Sequence, residues 1–254
     1  MSKKLKNYIL KHIKNLGIKK NDKVLVYSDL SRFGIDEKNL PQIIISSLKD
    51  ILGKNGTIIM PFYIFEKNSD FIFNKKKFIF SNKIGALTRK FCREKKIIRS
   101  NSLIHNHIGL GPMAKILNFS EEKVSIGKSS DFEFMKNYDF KLLMLACDPM
   151  QGATYLHHLE AVYGVPYRKW ILVKKKKIKN NIKKEVSISY YGKKNNNYIS
   201  NFNFVFNKIK KNKSVLAEEK VKYGKSFCIN LKDLDRLGLK LLKKNKYSFV
   251  KKIK

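Results

Sequence analysis

This sequence predicts an α/β fold, a sheet covered on both faces by helices. Three observations carry that expectation. Short apolar segments such as Lys23 to Ser28 (KVLVYS), Thr57 to Pro61 (TIIMP) and Lys141 to Cys147 (KLLMLAC) lack the strict alternation of a half-solvated strand. Segments with helical spacing separate them. Glycine and Asn-Asp turns fall at the joints.

Taken in order, Leu5, Ile9, Ile13 and Leu16 recur at helical spacing, and Gly17 stops the helix. Asn21 and Asp22 turn the chain into the first strand. A helix is expected from Asp36 to Leu52, where Pro41 fits only near the first turn. Gly53 to Gly56 turns into the second strand. A long helix from Ile84 to Glu94 should precede strand-like Ile97 and Ile98. Lys141 to Cys147 is the most apolar segment and reads as a central strand. A short helix follows, from about Thr154 to Tyr163. Beyond Trp170 the texture becomes a basic α+β portion. Strands are expected at Trp170 to Lys177 and Glu185 to Gly192, joined by a lysine-rich turn. Helices are expected at Asn201 to Lys213 and Leu231 to Lys244, and a last strand at Tyr247 to Lys254. No Pro/Gly/Ser linker or internal repeat interrupts the 254 residues. They read as one domain, with a core over residues 1–170 and a basic annex over 171–254.

Composition narrows the function. Fifty-five basic residues face 20 acidic ones, a net charge of +35, and the last 94 residues hold 27 and 5 of them. Such a surface attracts anions. The lysines are scattered, however, and asparagine and isoleucine are also abundant, as in a compositionally biased genome. No RNP motif, zinc finger or recognition helix accompanies them. A nucleic-acid-binding protein without catalysis is therefore the non-enzymatic alternative. The three cysteines, Cys92, Cys147 and Cys228, form no CxxC pair and no zinc pattern with the five histidines. That count, with no signal-peptide core between Met1 and Lys20 and no apolar run of membrane-spanning length, predicts a cytoplasmic protein without a metal.

GxGxxG, GxxxxGK[ST] and GxSxG motifs are absent, which argues against dinucleotide, P-loop and α/β-hydrolase chemistry. The informative segment is Thr154-Tyr155-Leu156-His157-His158-Leu159-Glu160, just beyond the most apolar strand. Ligand sites in α/β sheets lie at such carboxyl ends. His157 and Glu160, at i and i+3, share one helix face. A carboxylate in reach of an imidazole fixes its tautomer and raises its basicity.

From Asp22 to Trp170 the chain resembles the aminoglycoside 3-N-acetyltransferase family, whose antibiotic acetyltransferase fold is distinct from the GNAT fold. Five segments match in order. Val26 to Gly34 (VYSDLSRFG) is similar to the family's opening strand and HSSLSSLG-like turn, and Gly56 to Pro61 (GTIIMP) to its GTLVMP strand. Arg99-Ser100 with Ser102 to Gly111 is similar to its RS-x-HP-x-x-S...G segment. Gly127 to Phe132 (GKSSDF) is similar to its G-x-x-S-P-F turn, and Thr154-x-Leu156-His157-x-x-Glu160 to its T-x-LH-x-x-E signature. The resemblance implies a central mixed sheet flanked by helices. It also implies direct acetyl transfer from acetyl-CoA to an amine within a ternary complex.

On that resemblance His157 is the general base, working with Glu160. Ser28, Ser31, Arg32, Arg99 and Ser100 are candidates for coenzyme contacts. Asp29, His105, Asp148 and Thr154 are candidates for acceptor contacts. The chain departs from the pattern at Tyr27 and Asp29, at Ser102-Leu103, at Asn106 and at Asp131. Several of these positions lie where the family meets its substrates, so the reaction carries over better than the acceptor does. A +35 protein repels polycations, which favours an anionic amino sugar of bacterial glycan biosynthesis as the acceptor. An aminoglycoside antibiotic is the alternative. A covalent route through Cys147 with His157 is a further rival, and His107 and His158 are expected to be structural. The expected partner is a small amine, and the expected assembly a monomer or homodimer.

Overall fold

The computed structural model describes residues 3–63, 65, 72–75, 77–78, 84–179, 182–211 and 215–253. The elements run in the order α1 (Lys3–Asn15), β1 (Lys23–Ser28), α2 (Leu40–Leu52), β2 (Thr57–Pro61), β3 (Ile72–Asn74), α3 (Ala86–Phe91), β4 (Ile98–Arg99), β5 (His107–Leu110), α4 (Asp131–Asn137), β6 (Lys141–Leu145), α5 (Pro149–Gly152), α6 (Tyr155–Tyr163), β7 (Arg168–Lys179), β8 (Ile182–Lys193), β9 (Tyr198–Ser200), α7 (Phe202–Lys210), β10 (Leu216–Val221), β11 (Gly224–Asn230), α8 (Leu231–Lys244) and β12 (Val250–Lys252). Short 3₁₀ turns at Leu30–Phe33 and Pro112–Asn118 complete the set.

Seven strands form the central mixed sheet, in the order β10-β11-β6-β1-β2-β5-β4. β1 pairs parallel with β2 and β6, and every other pairing is antiparallel. Side chains alternate across this sheet with the pleat. Val24, Val26, Leu143 and Leu145 face one core with Ile9 and Ile13 of α1 and Ile43 and Ile44 of α2. Leu25, Tyr27, Leu142 and Met144 face the other, with Phe132 of α4, Leu156 of α6, Val205 of α7 and Leu234 of α8. Both faces are therefore covered, which explains why β1 and β6 read as unbroken apolar runs.

Several boundaries differ from the sequence expectation for local reasons. α2 begins at Leu40 instead of Asp36, because Pro41 must occupy its first turn. α3 covers six residues, and Lys96, at φ 65°, is left-handed in the turn that follows it. The strand expected to reach Cys147 ends at Leu145, where Ala146 turns left-handed at φ 51°. β7 and β8 are each 12 residues long and extend the expected hairpin at both ends. The turn that joins them at 180–181 lies outside the described residues. So do 212–213 of the expected helix from Asn201 and the final Lys254. The C-terminal portion supplies β10 and β11 to the central sheet, with Cys228 registered against Leu143.

α6, which carries His157, is fixed at its C-terminal end and along its buried face. Gly164 adopts φ 76° and its N–H closes on the Glu160 carbonyl, an αL stop that favours glycine. Leu156 and Leu159 are fully buried on its inner face. Each contributes about 1.5–3 kcal/mol of apolar burial, so the helix is anchored by packing as well as by its cap.

Candidate active site

The carboxyl ends of the three parallel strands β1, β2 and β6 open on one edge of the sheet. A cleft of about 790 Å³ lies there, within the range of small-molecule sites. Its walls come from the segments that leave those strands. Ser28 ends β1, Asp29 and Ser31 follow it, and Tyr63 follows β2. Cys147, Gln151, Thr154 and His157 follow β6. His105 and Tyr190 close one side.

His157 is the half-buried imidazole of this cleft, with its side chain 26% exposed. Its Nδ1 lies 2.6 Å from Oε2 of Glu160, one helical turn on. Glu160 itself is fully buried and takes three neighbours. Tyr167 donates to Oε1 at 2.8 Å, and Arg168 Nε lies 2.6 Å from Oε2 as an ion pair. Burial alone would raise the Glu160 pKa. The His157 and Arg168 charges and the hydrogen bonds from His157 and Tyr167 outweigh it, so the carboxyl sits below its ordinary value. An Arg168 guanidinium nitrogen also stands 3.0 Å from His157 Nδ1. If Nδ1 carried a lone pair, that pair would face an ionised carboxylate at 2.6 Å. Nδ1–H donating to Glu160 is therefore the assigned tautomer, and Nε2 is left for the cleft.

The remaining sequence candidates divide sharply. Ser28, Asp29, Ser31, His105 and Thr154 line the cleft with His157. Asp29 is held there by Ser31 Oγ, which donates at 2.6 Å, and by Arg32 Nε at 3.2 Å. Arg32 and Asp148 instead line a neighbouring cavity of about 360 Å³, with Lys210 and Lys225. The Asp148 carboxylate also caps α5, its Oδ1 accepting from Met150 N at 2.8 Å. Arg99 and Ser100 do not reach the cleft. Arg99 lies over the rings of Phe62, Phe73 and Phe78, and its Nε donates to Asn106 at 2.9 Å. Burial lowers its pKa to about 10. Ser100 is fully buried and accepts from the Asn106 side chain and from His107 N. These two residues brace the β4–β5 turn, and the coenzyme contact expected of them is corrected to packing.

His158 is buried behind the helix and accepts from Gly127 N. Burial, with Lys136 nearby, lowers its pKa to about 3, so it is a neutral packing group. Cys147 lines the cleft, yet burial and the charges of Asp29 and Asp148 push its thiol up to about 12. A thiol so placed is a poor nucleophile at neutral pH.

Three residues, Arg168, Tyr167 and Tyr63, escaped the sequence reading. Arg168 and Tyr167 reach Glu160 only because the chain reverses after Gly164, and no spacing rule announces that contact. Tyr63 follows β2 and meets Tyr27 across the cleft floor, where their hydroxyls bond each other. His107 bonds Asp131 at 2.7 Å beneath them.

Fold and site together define a class: an α/β protein with an imidazole-bearing cleft at the carboxyl ends of parallel strands. Residues 25–243 match the sequence profile of the aminoglycoside 3-N-acetyltransferase family, and the chain belongs to that family. Acetyl-CoA is the acyl donor of this enzyme class. Comparison with curated proteins gives no match. Among solved structures, AAC-IIIb in a binary complex with CoASH superposes with a TM-score of 0.81 at 16% identity, covering 94% of this chain and 96% of that one. AAC-VIa bound to sisomicin gives 0.80 at 18%, covering 94% and 97%. YokD from Bacillus subtilis gives 0.79 at 21%, covering 94% and 99%. Among the described residues no helix is long and apolar enough to cross a membrane.

Proposed function

We propose that this protein transfers the acetyl group of acetyl-CoA directly to an amine of an amino sugar, with His157 as the general base. One observation carries the reading: the His157 imidazole lines the cleft while its Nδ1 is held by the buried Glu160 carboxylate, which leaves Nε2 as its free nitrogen. An acceptor amine must lose a proton before it becomes a competent product. A base with a fixed tautomer takes that proton at Nε2, and Glu160 balances the charge that then develops on the ring. Bound acetyl-CoA supplies the thioester carbonyl. Ser28 and Ser31, which line the cleft, would contact the pantetheine arm. Arg32, which lines the neighbouring cavity, would meet phosphate oxygens of the coenzyme as a charge-assisted donor.

The acceptor reading follows from charge. Among the described residues lining the cleft, Asp29 is the one carboxylate, and Arg32 already pairs with it. A polycation would find little there to offset the repulsion of a +35 chain. An amino sugar that carries an anionic group, such as a nucleotide-linked glycan precursor in the cytoplasm, suits the field better. Membership of an aminoglycoside-modifying family favours the second reading, an antibiotic acetyltransferase. Thioester cleavage measured with a UDP-linked amino sugar, with glucosamine and with sisomicin separates them. Turnover of sisomicin with none of the nucleotide-linked sugar would overturn the glycan assignment.

A further inference from the structure

Beneath the cleft runs a second polar chain that the His157–Glu160 pair does not use. It begins at Asp131, 2% exposed, whose Oδ2 lies 2.7 Å from Nδ1 of the fully buried His107. His107 Nε2 lies 3.4 Å from the Tyr63 hydroxyl, a long contact. That hydroxyl bonds the Tyr27 hydroxyl. Tyr27, Tyr63 and Thr154 all line the cleft, and Thr154 precedes His157 by one helical turn.

The direction of this chain follows from counting hydrogens. Asp131 is an acceptor, so His107 Nδ1 carries the proton between them and Nε2 presents its lone pair to Tyr63. The two tyrosine hydroxyls own two hydrogens, and two contacts take them: Tyr63 donates to His107 Nε2, and Tyr27 donates to Tyr63. Both hydrogens are drawn inward. What remains on the cleft side is lone pairs on the tyrosine oxygens. Burial raises the pKa of both tyrosines, so their hydroxyls stay protonated and the pattern holds across the neutral range. Because His107 and Asp131 are both buried, the chain has no outlet to solvent and cannot carry a proton away. It orients hydroxyls.

We infer that the Tyr27 and Tyr63 hydroxyls, polarised by His107 and Asp131, form an acceptor wall that binds N–H and O–H groups of the amine substrate beside His157. This rests on the acetyl-acceptor reading of the cleft and deepens it. The wall supplies hydrogen-bond acceptors without an exposed carboxylate, so it recognises an amino sugar by its N–H and O–H donors rather than by net positive charge. His107 and Asp131 are positioning residues, and the tyrosines touch the substrate.

Calorimetric titration of the full chain with glucosamine, sisomicin and a UDP-linked amino sugar, and separately with coenzyme A, tests the wall in Y27F and Y63F. Each variant keeps its ring and loses one oxygen. Weakening of the amine Kd by about tenfold, with the coenzyme A Kd held within twofold, is expected from one lost hydrogen bond. H107Q keeps an acceptor for Tyr63 and should bind the amine better than H107L does. Unchanged amine affinity in Y63F would overturn the wall, as would equal losses in H107Q and H107L. If Y27F also loses coenzyme A, its packing has failed and Y63F alone decides. Wild-type amine binding that depends on the tyrosines, without acetyl transfer to any of the three amines, would sink the transferase reading and leave the wall standing. Transfer with tyrosine-independent binding would do the reverse. Wild-type binding to none of the three would sink both.

Discussion

Glu160 sits one helical turn from His157 and, through a single oxygen, meets both the His157 imidazole and the Arg168 guanidinium at 2.6 Å. The same carboxylate therefore orients the imidazole and neutralises a buried cation. On the proposed function, catalysis and stability are joined at one buried atom, and the two can be separated by choosing which partner to remove.

Removing the imidazole isolates catalysis. His157→Ala deletes a half-buried ring and leaves the Glu160–Arg168 pair intact. Acetyl transfer should fall by about 10²- to 10⁴-fold, the usual contribution of a positioned base. Coenzyme A affinity should hold, and so should the melting temperature to within a few degrees. A stopped assay of thioester cleavage checks the rate, and a loss below threefold would remove His157 from the mechanism.

Removing the carboxylate charge tests stability. Glu160→Gln leaves Arg168 buried with no counter-charge, a change that costs about 3–5 kcal/mol. The sign of its pH dependence is set by the lowered Glu160 pKa. Because the folded value lies below the unfolded one of about 4.3, the stabilisation is fully present above that pH. It is lost as the pH falls through the folded value. Urea denaturation at pH 7 and pH 4 should show the gap between wild type and E160Q narrowing in acid. A gap that widens would mean the carboxyl is protonated in the native protein.

How far the sequence reveals this site depends on the range of the contact. His157 and Glu160 share a helix and are visible as an i, i+3 pair. Arg168 lies beyond a reversal at Gly164, and Tyr63 and Tyr27 come from different strands, so their meeting is a property of strand order. The same limit applies to the sheet. β1, β2 and β6 are apolar runs and could be read directly. β10, with the sequence LAEEKV, is half polar because it is an edge strand, and β5 covers only four residues. Arg99 and Ser100 were placed near the coenzyme by motif position, although the ring cluster of Phe62, Phe73 and Phe78 encloses the guanidinium.

Cys147 offers a clean test of the covalent alternative. Its thiol, held up at about 12 by burial and neighbouring carboxylates, is almost wholly protonated at pH 7. Cys147→Ser should keep acetyl transfer within about threefold of wild type, and iodoacetamide should modify Cys147 far more slowly than a free thiol of pKa about 8.5. Loss of transfer beyond 100-fold in C147S, with coenzyme A binding retained, would return the covalent route to consideration.

The support of α6 from behind can be tested at Gly238. This residue lies inside α8, where glycine costs about 1 kcal/mol relative to alanine, so its presence implies a packing constraint. A Cβ placed there would lie 2.5 Å from Leu159 Cδ1 and 3.3 Å from the Phe249 ring. Leu159 is fully buried and cannot swing into solvent. Overpacking of this kind costs about 1–3 kcal/mol, so it outweighs the gain in helix propensity. Gly238→Ala should be less stable by about 1 kcal/mol, a fall of about 2–4 °C in Tm for a chain of this size. Because Leu159 lies between His157 and Glu160 on the α6 ladder, the displaced helix should also lower kcat more than it raises the KM for acetyl-CoA. A G238A variant that melts above wild type would show that α6 and α8 are packed loosely enough to absorb a methyl group, and the base would then owe its position to Glu160 alone.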